Sequence, residues 1–197
     1  MGSYRRGQST SGWLVLVSAL TAMSAFRAGP ATAASARAGK HRAVVESDWD
    51  RIQAMLAGPD EALLLGRRSD AWFEARWSGR TGAWADRLNG LPKYVVSSTT
   101  APPRWSNATL LTGDVLAQIA KLKQGLRGDL LVYASCQLAR SLVDHDLVDE
   151  LRLVVFPVIV GDGTRLFGQT TGEKALRLLS ARTLGEGLSF LTYAFVR

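Results

Sequence analysis

Cysteine is nearly absent: Cys136 stands alone among 197 residues, so no intramolecular disulfide can form and no cysteine-rich metal site exists. A lone thiol suits a reducing compartment. Histidine is almost as scarce, with His41 and His145 only. No His-x-Glu stands with a Pro-Cys-x-x-Cys, which excludes zinc-deaminase chemistry. Acid is missing from the first 45 residues, where Arg5, Arg6, Arg27, Arg37, Lys40 and Arg42 meet no Asp or Glu. That segment carries most of the formal charge of +7; beyond it 18 bases face 17 acids, so the remainder is near neutral. The six early bases are scattered rather than gathered on one helical face, and no nucleic-acid groove is indicated.

What is present suffices for a core. The apolar share is 47%, and 19 Gly with 6 Pro is not a disordered composition. The length suits one domain, or one domain with an appended tail. The first 45 residues admit three readings. Arg5 and Arg6, the apolar run Trp13 to Phe26 and the small residues Ala31 to Ala36 follow the order of an export signal. An acid-free Ala/Arg/Ser/Gly-rich start also fits a misassigned or frame-displaced beginning. The third reading, which we prefer, makes residues 14–20 a buried strand, because their length and β-branched content suit one. Cleavage after Ala34 or Ala36 would remove that strand, so a cytoplasmic location is expected.

The central stretch is Ala62-Leu63-Leu64-Leu65-Gly66-Arg67-Arg68-Ser69. Four apolar residues closed by glycine suit a strand buried on both faces. The following Asp70 to Trp77 has helical spacing, with Ser69 or Asp70 placed to cap it. Strand, glycine, two arginines and a helix start together describe an anion site, since helix N-termini favour negative charge and guanidinium forks match phosphate oxygens. The alternative is a solvated loop that carries two arginines.

The rest of the chain repeats the strand–helix theme. Ser47 or Asp48 can cap a short helix through Leu56, stopped by Gly58-Pro59. A strand from Pro92 ends in the hydroxyl run Ser97-Ser98-Thr99-Thr100, which can bind phosphate or cap a turn; Pro102-Pro103 then breaks the chain. Residues 108–111 read as a strand, 115–122 as a helix introduced by Asp114, and 129–133 as a second buried strand. Ser135 begins a helix whose end is near His145, a residue compatible with a helix C-terminus. Residues 148–160 read as a long apolar strand with Pro157 marking a bulge or edge. Segments 175–184 and 188–196 form a hairpin around Gly185-Glu186-Gly187. Alternation of this kind predicts a three-layer α/β/α sandwich: a mostly parallel central sheet with an antiparallel C-terminal hairpin.

Three strand ends in order, Leu65-Gly66-Arg67-Arg68-Ser69, Val96-Ser97-Ser98-Thr99 and Val132 to Leu138, resemble the dihydrofolate reductase-like fold. The run Leu147-Val148-Asp149-Glu150, Phe156-Pro157-Val158 and Gly161-Asp162-Gly163-Thr164-Arg165-Leu166-Phe167 is similar to the reductase domain of the riboflavin-pathway deaminase-reductase family. The resemblance covers residues 47–197, leaving 1–46 as an atypical basic segment that holds the candidate strand 14–20. It implies a stand-alone NADPH-dependent oxidoreductase, related to the 5-amino-6-(5-phosphoribosylamino)uracil reductase domain, with hydride transfer to a small heterocyclic or carbonyl acceptor. It also implies that Gly66, Arg67, Arg68, Ser69, Ser97, Ser98, Thr99, Ala134, Ser135, Cys136, Gln137 and Leu138 bind the cofactor. No catalytic residue and no metal follow from it. The expected partner is a small-molecule substrate, with no nucleic acid and no membrane; a homodimer is compatible with it.

Two departures stand out. Ala134-Ser135-Cys136 replaces the family's glycine-rich turn, adding a Cβ where backbone approaches the pyrophosphate. Read without the family, these residues make a plain strand-to-helix turn with a buried cysteine, or place a reactive thiol at a helix N-terminus. Met23-Ser24 stands where Asp-Gly would follow the first strand. These departures keep a second function open, a non-catalytic or degenerate dinucleotide-binding protein of the same fold.

Overall fold

Ala62, Leu63, Leu64 and Leu65 are all buried, and they divide between two cores. Ala62 and Leu64 join Leu130 and Val132 on one face; Leu63 and Leu65 join Leu131 and Tyr133 on the other. Strand side chains alternate in direction, so an unbroken apolar run needs cover on both sides. The structure is a computed structural model and describes residues 14–20, 60–157, 159, 165–168, 172–185 and 187–197.

Among the described residues, eight strands form one sheet: β1 (Leu14–Leu20), β2 (Asp60–Gly66), β3 (Lys93–Val96), β4 (Ala108–Leu111), β5 (Asp129–Tyr133), β6 (Glu150–Val155), β7 (Leu176–Leu184) and β8 (Leu188–Phe195). Their order is β4-β3-β2-β5-β1-β6-β8-β7. Every pairing from β4 to β6 is parallel, and β8 then runs antiparallel to both β6 and β7. The strand expected at 14–20 lies inside this sheet, with Leu14 beside Leu130 and Val15 beside Glu150.

Among the described residues, four helices cover the sheet: α1 (Arg67–Trp77), α2 (Ala83–Gly90), α3 (Val115–Gly125) and α4 (Cys136–Asp144). Trp77, Ala85 and Leu88 place α1 and α2 on the face of Leu63 and Leu65. Ile119, Ala139, Leu142 and Val143 place α3 and α4 on the opposite face. The expected three-layer α/β/α sandwich, parallel at its centre with an antiparallel hairpin at the end, is the observed fold. Gly185 and Gly187 turn that hairpin with φ of 49° and 112°, the left-handed region that glycine enters without penalty.

Local boundaries differ from expectation in two places. α1 begins at Arg67 with Gly66 as N-cap, so Ser69 and Asp70 lie inside the first turn rather than capping it. β6 stops at Val155, short of the expected end at residue 160, because Pro157 has no amide to give the ladder. The expected helix through Leu56, Met23-Ser24, the small-residue run 31–36, and residues 161–164 lie outside the described residues.

Candidate functional site

β2 and β5 are neighbours, yet the chain leaves them in opposite directions: β2 feeds α1 on one face and β5 feeds α4 on the other. Adjacent parallel strands whose connections diverge leave a crevice beyond their carboxyl ends, the place where open α/β sheets take ligands. Register brings three strand ends level there. Gly66 pairs with Val96, and Leu64 pairs with Val132, so Ser97 and Ala134 flank Gly66 from its two sides.

A hydroxyl bridge joins the two diverging helices. The Gly66 amide donates to Ser135 Oγ at 3.0 Å, and Ser135 Oγ donates to Ser69 Oγ at 2.8 Å. Neither α1 nor α4 carries a side-chain cap, and neither Gly66 nor Ser135 offers one. Two helix starts therefore meet at neighbouring strand ends with first-turn amides that no cap takes up. Arg67 and Arg68 stand in the first turn of α1, where the helix dipole disfavours cations. An anion bound in the crevice would reverse that conflict.

The turn into α4 keeps a glycine-like shape without glycine. Ala134 and Ser135 have φ of 55° and 50°, both left-handed, a conformation that costs an L-residue roughly 1–2 kcal/mol. Cys136 is already helical and half-buried, so its Cβ is not a source of strain. Gly66 has φ −78°, and a Cβ there would sit 3.6 Å from Ser135 Oγ, ordinary contact; its use is not conformational.

The other expected residues fall into distinct places. Arg68 is exposed, whereas Arg67 donates to the carbonyls of Ala101 at 2.6 Å and Pro102 at 3.3 Å. Ser97 is buried, its Oγ accepting the Thr99 amide at 3.0 Å and lying 3.1 Å from Thr99 Oγ1; Ser98 is exposed. Gln137 is exposed at the start of α4, and Leu138 packs against the core. Thus Gly66, Ser69 and Ser135 are joined directly, and Ser97 to Thr99 form a hydroxyl turn beside them.

Three participants were not singled out from sequence as site residues. Asp70, expected only as a cap, is 1% exposed and accepts the amides of Arg104 at 2.8 Å and Trp105 at 3.3 Å. Lys93 is equally buried: its Nζ donates to the carbonyls of Asn89 at 3.0 Å and Leu91 at 2.7 Å and lies 4.4 Å from the Trp105 ring centroid. Burial lowers the Lys93 pKa to about 8, with the Asp70 charge opposing that shift. Arg140 of α4 grips the carbonyls of Arg165 and Leu166, drawing the Leu166-Phe167 segment onto the helix. A basic residue opening an apolar strand is the only trace Lys93 leaves in sequence; Arg140 leaves none.

The RibD C-terminal domain model matches residues 32–190, most of the chain. The chain belongs to the RibD C-terminal domain family. YyaP, an uncharacterized protein of Bacillus subtilis (strain 168), is 30% identical over 75% of this chain and 84% of its own length. The "putative riboflavin biosynthesis protein" of Shewanella sp. PV-4 superposes with a TM-score of 0.63 at 16% identity, covering 95% of this chain and 99% of that one. The riboflavin biosynthesis reductase Rib7 of Saccharomyces cerevisiae superposes at 0.56 and 14% identity, over 98% and 93%. At these identities the two structures share the fold. Membership of the RibD C-terminal family accounts for the order of motifs from Leu65 to Phe167.

Proposed function

We propose that this chain is a stand-alone, NADPH-dependent reductase of the RibD C-terminal family that transfers a hydride to a small heterocyclic or carbonyl acceptor, the aminouracil ribose of the riboflavin pathway being the first to try. The observation that carries the reading is the pair of uncapped helix starts at β2 and β5, bridged by Ser135. First-turn amides of α1 and α4 suit a pyrophosphate. Arg68, Ser97, Ser98 and Thr99 suit a 2′-phosphate, for which an arginine nearby is the usual requirement. Arg67 supports this end of the site by holding residues 101 and 102.

The nicotinamide supplies the hydride, and the chain's task is to bind it, orient it and exclude water. Among the described residues no helix is long and apolar enough to cross a membrane. We read the protein as cytoplasmic, where NADPH is available. Titration with NADPH, followed by quenching among the six tryptophans, tests the proposal. Absence of saturable binding rejects it.

One observation favours a second reading, binding without turnover: Ala134 and Ser135 carry two Cβ atoms in a left-handed turn, beside where we propose the pyrophosphate binds. Tight NADPH binding with no NADPH oxidation on the aminouracil substrate supports that alternative.

A further inference from the structure

The connection between β3 and β4 is unusual for parallel neighbours. Residues 97–107 cross back along the sheet with no helix, where such crossovers ordinarily use one. Backbone without its own ladder must be held by side chains. Here α1 and α2 do the holding. Arg67 takes the carbonyls of Ala101 and Pro102, and Asp70 takes the amides of Arg104 and Trp105. Trp105 is then fixed through its indole, which donates to Asn89 Oδ1 at 2.8 Å, stacks on Phe73 at 5.9 Å and 7°, and carries Lys93 over its ring. Asn107 closes the far end with a bond to the Gly90 carbonyl at 2.9 Å.

Asp70, Phe73 and Trp77 lie three and four residues apart, so one inward face of α1 carries both the carboxylate and the aromatic support. A carboxylate that is 1% exposed would be costly without partners, and its two oxygens are each matched to a crossover amide. The Ser97-Ser98-Thr99 turn is the first part of this same crossover.

We infer that Asp70 is a positioning residue for the 2′-phosphate: by anchoring residues 104 and 105 it fixes the crossover and the hydroxyl turn that opens it, so the choice between NADPH and NADH depends on a group that touches neither. This rests on the proposed reading of Ser97, Ser98 and Thr99 as 2′-phosphate ligands. Asp70 shares the first turn of α1 with the pyrophosphate end, so any effect it has there falls on NADPH and NADH alike, and only the crossover distinguishes them.

The test uses the full chain with NADPH and NADH as probes, comparing wild type, Asp70→Asn and Trp105→Phe by fluorescence titration. Asp70→Asn keeps one acceptor and removes the charge; NADPH Kd is expected to rise about tenfold while NADH Kd stays within about threefold, as a misplaced contact demands. Trp105→Phe keeps the ring under Lys93 and drops the indole bond to Asn89, so it should move the NADPH-to-NADH ratio in the same direction by a smaller factor. If Asp70→Asn does not fold, Asp70→Ser, which keeps one acceptor for the crossover amides, takes its place with the same expected change in the NADPH-to-NADH ratio. Equal weakening of both cofactors, or an unchanged ratio in the folded variants, assigns Asp70 a merely structural role and overturns the inference. Wild type that binds neither dinucleotide rejects the proposed function itself, a result visible before any variant is made.

Discussion

Ser135 ties the end of β5 to the end of β2: its hydroxyl accepts the Gly66 amide at 3.0 Å across 69 residues of sequence. The same hydroxyl reaches Ser69 at 2.8 Å, so one side chain sets the separation of two helix starts. Ser135→Ala leaves the Gly66 amide without that acceptor, at a cost of about 1–2 kcal/mol in urea unfolding. If the proposed cofactor site is right, NADPH and NADH affinities both fall in this variant, since the pyrophosphate is common to them. A loss of stability with unchanged affinity for both would detach the bridge from the site.

Ala134→Gly addresses the turn itself. Left-handed φ at Ala134 is relieved by glycine, while the unfolded chain gains freedom, so the net expectation is a stabilisation of about 1 kcal/mol or less. Cys136→Gly is the contrast. Cys136 is helical, so glycine there brings no relief and destabilises by about 0.5–1 kcal/mol. Denaturation midpoints of the two variants moving in the same direction would contradict the backbone assignment.

Much of this was legible in sequence, for a physical reason. Ala62–Leu65 and Leu130–Val132 are apolar without alternation, and a strand covered on both faces needs that. Asp114 was readable as leading into a helix, and in the structure its carboxylate caps that helix by accepting the Ala117 amide at 3.1 Å. The Gly66-Ser69 and Ser97-Thr99 stretches were recognisable as strand ends, and the sheet register sets them side by side. What sequence could not supply was direction. Arg67 and Arg68 are adjacent, but helix geometry sends one to the crossover carbonyls and leaves the other exposed. Asp70, Lys93 and Trp105 are separated by more than ten residues each, and nothing local announces that an irregular crossover needs all three.

The two arginines therefore separate into different experiments. Arg68→Ala removes an exposed cation at the start of α1, and NADPH should bind more weakly by roughly 1.5–3 kcal/mol, with little change for NADH. Arg67→Ala releases Ala101 and Pro102, so it should also increase proteolysis or hydrogen exchange within 97–107 in the absence of cofactor. Exchange in that segment equal to wild type would show that the guanidinium bonds to the crossover carry no weight.

Lys93 makes stability depend on pH with a sign opposite to that of an ordinary exposed ion pair. Its ammonium is buried and its pKa is lowered from 10.5 to about 8, so between those values the unfolded chain holds a proton that the folded chain has released. Where the unfolded state binds more protons, stability rises with pH. Below about 8 both states are protonated and the cost of burying the charge is constant; above 10.5 both are neutral and the gain is complete. The neutral amine still has two N–H groups for the two carbonyls of Asn89 and Leu91, so deprotonation need not disturb the packing around Trp105. Urea unfolding from pH 7 to 10 should show wild type gaining on Lys93→Met by an amount on the order of 1–3 kcal/mol. The comparison with Lys93→Met cancels the titration of other lysines and tyrosines, which both chains share. A stability difference that is flat over this range would mean that the Asp70 charge and the Trp105 ring together offset the burial of Lys93, and that its ammonium persists at pH 9.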